Sequence, residues 1–218
     1  MHKELNRRDI PCGQNRVAAI MRDYGIKARM ARRFKRHSHR HHLFRGTTNL
    51  LLDRDPVKKP NEVWVCDVTY IRVKQHWNYL CTVMDLYTRK IIGWHLSKDQ
   101  DTNLVREAVL MALHDYTPRK ETIFHTDQGV EFANKAIRKF LTESGLKASL
   151  SRKGHCWDNA TMESFYHSLK TEMVYFHKFK TLTEATSYLI DYMYFYNHNR
   201  LHSGLGYYTP VEYEQRAA

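Results

Sequence analysis

Three β-rich runs follow one another at hairpin distance, and after them helical and strand-like periodicities alternate; that order leaves few folds open. Glu62–Val73 is dense in Val, Ile, Trp and Tyr, residues that suit a pleated, half-buried surface. Trp77–Leu86 and Lys90–Leu96 come next, so three antiparallel strands are predicted. Residues 102–115 then repeat at helical spacing, with Leu104, Val105, Ala108, Met111 and Ala112 on one face. Thr122–His125 reads as a short apolar strand. Residues 134–144 read as a helix with Ile137, Phe140 and Leu141 inward and Gly145 at its end, and Ala148–Leu150 as another short strand. From about 159 to 176, Met162, Phe165, Leu169, Met173 and Phe176 make a further helical stripe. A last helix opens at Thr181, where Thr181 and Glu184 fit a capping box, each satisfying the other's free amide. Leu182, Ala185, Leu189, Tyr192 and Tyr196 give its buried face. The order predicts an α/β domain: a mixed sheet covered by helices.

Charge divides the chain in two. Residues 1–60 hold 16 Lys/Arg against 5 Asp/Glu, a net of +11, whereas residues 61–218 hold 19 against 18, a net of +1. A polycation of this kind releases counterions on meeting phosphates, which favours salt-sensitive nucleic-acid binding; a solvated basic tail has the same composition. Within it, residues 14–24 read as a short helix with Val17, Ile20, Met21 and Tyr24 on one side and Gly25 as its terminator. Residues 29–45 read as a basic linker carrying Arg32, Arg33, Lys35 and Arg36, candidate DNA contacts, and closed by Pro56 and Pro60. Its histidines at 37, 39, 41 and 42 have no acid or cysteine nearby to complete a metal site. Two regions are expected: a basic, partly helical DNA-binding segment at 1–48, and a catalytic domain at 49–218 with a helical C-terminal tail.

No run approaches the roughly 18 apolar residues of a membrane span, and no apolar region follows the basic start, so a cytoplasmic protein with no membrane partner is expected. Cys12, Cys66, Cys81 and Cys156 are too scattered for a zinc site, and Cys66 and Cys81 read as small buried hydrophobes.

Three acids point to chemistry. Asp67 interrupts the apolar strand run Val63-Trp64-Val65-Cys66, where an unpaired acid is costly. Asp127 ends the fourth strand, and Glu163 lies in the first turns of the helix that follows. Alone, Asp127 before Gln128-Gly129 also reads as a turn former, and Glu163 as a surface acid complementing the helix dipole. Together they suit in-line attack on a phosphodiester. There two divalent ions about 3.5–4 Å apart stabilise the entering and leaving oxygens, and carboxylates from different elements hold them. Lys170, seven residues after Glu163, shares its helical face and is placed to meet a DNA phosphate; an ordinary surface charge has the same spacing.

These residues sit in runs that resemble a known family. Trp64-Val65-Cys66-Asp67-Val68-Thr69-Tyr70-Ile71, His125-Thr126-Asp127-Gln128-Gly129, Asp158-Asn159-Ala160-Thr161-Met162-Glu163-Ser164-Phe165 and the run from Tyr196-Asn197-His198-Asn199-Arg200 to Tyr207 resemble, in order, the bacterial insertion-sequence transposases of the IS-three family. The likeness runs from about Asn49 to Glu214, with weaker similarity over residues 14–30.

The resemblance implies a ribonuclease-H-like fold shared with retroviral integrases. It implies a catalytic and metal-binding triad at Asp67, Asp127 and Glu163, using Mg2+ or, as a substitute, Mn2+, with Lys170 as the basic residue after the Glu and Arg200 as a further DNA contact. It implies that water nicks DNA at the element's ends and that the freed 3′-hydroxyl attacks another phosphodiester. It implies DNA as partner, at both transposon ends and target, and assembly with further copies. Many members also join a helix-turn-helix module from an upstream reading frame, and against that pattern the segment before the core is expected to be short. Two other readings share these residues: a ribonuclease-H-like nuclease that cuts without joining, and a DNA-binding remnant without activity.

Overall fold

The computed structural model describes residues 1–27, 49–52, 54–127, 134–151 and 160–217. The linker cations Arg32, Arg33, Lys35 and Arg36, the histidine cluster and Cys156 lie outside the described residues.

Five strands form one mixed sheet in the order β3-β2-β1-β4-β5. β1 (Val63–Val73), β2 (His76–Asp85) and β3 (Ile91–Ser97) pair antiparallel, as their short connections require. β4 (Ile123–Thr126) runs parallel to β1, and β5 (Lys147–Leu150) parallel to β4. The crossovers are α3 (Thr102–Asp115) and α4 (Lys135–Glu143). On one face, Trp64, Cys66, Cys81, Val83 and Ile92 pack against Leu104, Val105, Ala108, Val109 and Ala112 of α3 and Ile137 and Leu141 of α4. On the other, Val63, Val65, Ile71, Leu80 and Met84 pack against α5 (Ala160–Glu172) and α6 (Leu182–His198). Cys66 and Cys81 are fully buried with their sulfurs 3.3 Å apart, free thiols that fill core space.

β1 changes character part-way along. Val63 to Cys66 are buried on both faces, but from Tyr70 onward alternate residues emerge, with Tyr70 and Arg72 exposed. Asp67 stands at that change, half-buried, where a carboxylate reaches water without leaving the strand.

Several stripes differ from their periodicity. In α3, Val109 is buried and Met111 is exposed. α5 ends at Glu172 rather than near 176: a 3-10 turn at Val174–Phe176 takes over, and Phe176 is exposed. The turn redirects the chain so that Phe179 carbonyl accepts from Lys74 N at 2.8 Å, closing the far end of β1. At α6, Thr181 Oγ1 accepts from Glu184 N at 3.0 Å as a capping box requires, but Glu184 reaches the Lys180 amide at 2.6 Å instead of that of Thr181.

The N-terminal segment has two helices, α1 (His2–Arg7) and α2 (Gln14–Asp23), of which only α2 was legible from periodicity. Gly25, at φ +64°, takes the left-handed conformation that stops α2. Of the stripe expected on α2, only Val17 is buried. A final helix, α7 (Pro210–Ala217), bonds back to the start of the chain through an Arg7–Glu212 ion pair. Among the described residues no helix is long and apolar enough to cross a membrane.

Candidate active site

The parallel pairing of β1 with β4 brings two of the acids together. Cys66 lies opposite Thr126, so the next residue on each chain is an aspartate, Asp67 in β1 and Asp127 just past the end of β4. Both carboxylates act on one neighbour. Burial pushes the Cys66 thiol well up, the adjacent Cys81 adds to this, and the negative charges of Asp67 and Asp127 push further in the same direction. β4 is pinned just before its aspartate: the fully buried His125 bonds Ser149 Oγ at 2.9 Å and Ser151 Oγ at 3.0 Å, tying it to β5 and the residue beyond it.

α5 is fastened to the same point by one phenol. Tyr166 donates to the carbonyl oxygen of Asp67 at 2.5 Å and accepts from Thr82 Oγ1 at 2.7 Å, and Thr82 is the residue paired with Asp67 across β1–β2. Burial raises the Tyr166 pKa well above its ordinary value and the Asp67 charge adds to it, so the phenol stays a donor. Glu163 lies three residues before Tyr166 and Lys170 four after, one helical turn to either side on the same face. Lys170 is half-buried; burial lowers its pKa and the Asp67 charge works against that. The lysine therefore feels the aspartate, as a cation at the edge of an acidic site does.

The acids differ in exposure. Asp67, the acid set in an apolar strand run, is half-buried, whereas Asp127 and Glu163 are exposed. Among the described residues, no three His, Cys, Asp or Glu side chains are gathered into a group able to hold a metal ion. The two aspartates come from neighbouring strand ends, and Glu163 from the helix that Tyr166 anchors.

Arg200, the further DNA contact expected, is held by an acid of α5. Its Nη2 meets Glu172 Oε1 at 2.7 Å and its Nε meets Glu172 Oε2 at 2.9 Å, with a further bond from Nη2 to Ser168 Oγ at 3.2 Å. Tyr192 also donates to Glu172 at 2.9 Å. This two-pronged fork locks the end of α6 to the end of α5 and so holds the helix bearing Glu163 and Lys170.

Beside it, His202 is packed edge-on to Tyr196 with its ring 4.6 Å away, and its Nε2 is buried with no hydrogen-bond partner among the described residues. Burial, helped by the Arg200 charge, lowers its pKa to about 4. A histidine in the unfolded chain takes its proton near pH 6.5, so between there and about 4 the unfolded state binds more protons and folding weakens as the pH falls. Urea unfolding at pH 7.5 and 4.5 is expected to show a smaller acid loss in His202→Phe than in the parent; equal losses would count against this.

Tyr166, Thr82 and His125 are the site residues that periodicity did not single out. The one available signal was a tyrosine lying between the apolar stripe of α5 and its polar face.

Comparisons with known proteins identify the family and the fold. A family model described as an integrase core domain matches residues 57–156, a second of the same description matches 163–217, and an HTH-like domain model matches 1–34. The transposase for insertion sequence element IS904 of Lactococcus lactis is 36% identical over 98% of this chain and 85% of its own length. The InsF transposase for insertion sequence IS3 of Escherichia coli is 34% identical over 98% of this chain and 74% of its own. An uncharacterized 31 kDa protein of insertion element IS600 from Shigella sonnei is 33% identical over 99% and 80%. Among solved structures, the simian T-cell lymphotropic virus intasome has a chain that superposes with a TM-score of 0.63 at 15% identity, over 81% of this chain and 60% of that one. The HTLV-2 integrase catalytic core, solved with magnesium, gives 0.57 at 16% identity over 72% of this chain and 97% of that one. The fold is thus the ribonuclease-H-like fold of retroviral integrase cores.

Proposed function

Because this chain belongs to the insertion-sequence transposases of the IS3 family, we propose that it cleaves and rejoins DNA through Asp67, Asp127 and Glu163, acting as the holders of magnesium. The observation that carries this reading is the Tyr166 hydroxyl on the Asp67 carbonyl, which sets the helix of Glu163 and Lys170 over the strand pair of Asp67 and Asp127.

The donor set suits the ion. Carboxylate oxygens are the hard ligands Mg2+ takes, Mn2+ accepts the same set, and an ion that keeps several waters needs few protein ligands. When bound, divalent ions stabilise charge on the entering and leaving oxygens of an in-line displacement. Asp67 supplies its carboxylate from the central strand, whose backbone is held at the Asp67 carbonyl. Asp127 approaches from the neighbouring strand end, and Glu163 reaches in from the exposed first turn of α5. Lys170 meets a phosphate oxygen of the bound strand and sets its register, and the Arg200–Glu172 fork keeps α5 in place beneath it. In the first reaction a water oxygen bonds to phosphorus as the bond to the 3′-oxygen breaks; in the second that 3′-hydroxyl attacks another phosphodiester and displaces its 3′-oxygen.

The HTH-like segment and the basic linker with Arg32, Arg33, Lys35 and Arg36 supply phosphate contacts along the duplex, and copies of the chain assemble on the two transposon ends. A helix-turn-helix protein from an upstream frame is a further partner in end recognition.

Strand transfer with a labelled transposon-end fragment and a plasmid target tests the proposal. Joined product in Mg2+, abolished by chelation, is the expected result. Cleavage without joining would mark a nuclease, and a gel shift with neither would mark a DNA-binding remnant.

A further inference from the structure

An open pocket of about 620 Å³ has Lys170, the lysine that feels the Asp67 charge, in its wall. Its origin is the mismatch in strand lengths. β4 pairs with β1 only as far as Cys66 and Thr126, whereas β1 continues to Val73. Among the described residues the next backbone bond on that edge is the one from Lys74 to Phe179. Between these two points the edge of β1 borders the pocket.

One wall is aromatic and cationic. Tyr70 pairs with Tyr79 across the β1–β2 hairpin and Arg72 with Trp77. The Tyr70 ring lies 5.4 Å from that of Tyr79 and 6.4 Å from that of Trp77, and the Arg72 guanidinium sits 5.8 Å over Trp77. The opposite wall is Lys170 on α5, with Tyr175 and His177 from the turn after it. Trp77 is 58% exposed and Tyr175 53%, so large aromatic faces are presented to solvent. Among the described residues no acid lines the pocket.

Exposed aromatic faces interleaved with cations are what unpaired nucleobases use: each base offers a π-face whatever its identity, and the cations follow its phosphates. A duplex presents stacked bases and cannot insert them without unpairing. The volume falls within the range of small-ligand pockets and suits one or two nucleotides. We propose that this pocket captures unpaired nucleotides of the DNA strand next to the reacting phosphate, holding a frayed end open at the carboxylates. This rests on the reading that DNA reacts at Asp67, Asp127 and Glu163, and adds to it a preference for locally single-stranded DNA.

The test is binding without chemistry. Fluorescence anisotropy in EDTA compares a blunt duplex with the same duplex carrying a short unpaired extension, using the full chain and its Trp77→Ala, Trp77→Phe and Tyr175→Ala variants. The extended DNA is expected to bind tighter to the parent. Trp77→Ala and Tyr175→Ala are expected to lose about tenfold on the extended DNA and little on the blunt one, with Trp77→Phe close to the parent. Equal loss on both DNAs, no loss on either, or a change in the oligomeric state of Trp77→Ala in place of a binding change would overturn the proposal. Preference for the extension in a chain that shows no strand transfer keeps the pocket and removes the catalytic reading. Strand transfer with unchanged binding in Trp77→Ala removes the pocket alone.

Discussion

Asp67→Asn is expected to lower strand transfer by about a thousandfold or more while the protein folds and binds DNA as before. The loss corresponds to about 4 kcal/mol of transition-state stabilisation, the scale on which charge stabilisation by bound metal acts. The fold survives because the contact that anchors α5 uses the Asp67 backbone carbonyl, which the substitution leaves alone. The side chain's own local bond, from Val68 N to Oδ1 at 2.8 Å, is one an asparagine oxygen also accepts. DNA affinity survives because the excess positive charge lies in the first 60 residues, which the substitution leaves unchanged. Parallel strand-transfer, gel-shift and thermal-unfolding measurements on the variant check all three parts; joining at the parent's rate would exclude Asp67 as a metal holder.

Gly93→Ala is expected to cost the fold about 3 kcal/mol or more, at or beyond the upper end of overpacking penalties. β3 passes so close to α3 that a Cβ on residue 93 falls 2.2 Å from the Ala108 carbonyl oxygen, 2.9 Å from the Ala112 nitrogen and 3.0 Å from the Ala112 Cβ. Two of these atoms are helix backbone, and α3 is itself seated on the sheet through Leu104, Val105 and Val109, so relief requires moving the whole helix. Against a total stability of about 5–15 kcal/mol this is a large fraction, visible in the urea midpoint and in soluble yield. A shift under about 1 kcal/mol would mean that α3 rides more loosely than the packing implies.

Local pattern and long-range pairing explain what was legible and what was not. The strand and helix order was readable because each element buries one face and so carries its period in the chain. Asp67 was readable because an acid in an apolar strand run has few innocent explanations. The adjacency of Asp67 and Asp127 was not, since it depends on the parallel register of Cys66 with Thr126, which no local spacing encodes. Glu163 and Lys170 shared a face by arithmetic, but the residue that joins that face to the sheet is Tyr166, and its role appears only when Thr82 and the Asp67 carbonyl are beside it. Arg200 entered as a DNA contact through the resemblance, and its ion pair with Glu172 depends on the packing of α6 on α5, which no local spacing encodes. Phe176 continued an apolar period that the backbone had already abandoned for the turn leading to Phe179. α1 and α7 lack a long apolar stripe; α1 buries nothing and α7 buries only Pro210, so periodicity had little to detect.

Cutting and joining as proposed requires Asp67, Asp127 and Glu163 to act as one divalent-metal site. The most direct test of that requirement is a titration of the DNA-bound chain with Mn2+, read by the loss of the free-ion paramagnetic resonance signal. Saturable uptake of about two ions per active site is expected in the parent. Asp67→Asn is expected to abolish it, and Asp127→Asn and Glu163→Gln each to weaken it, at unchanged DNA affinity. Identical uptake by the parent and all three variants would contradict it.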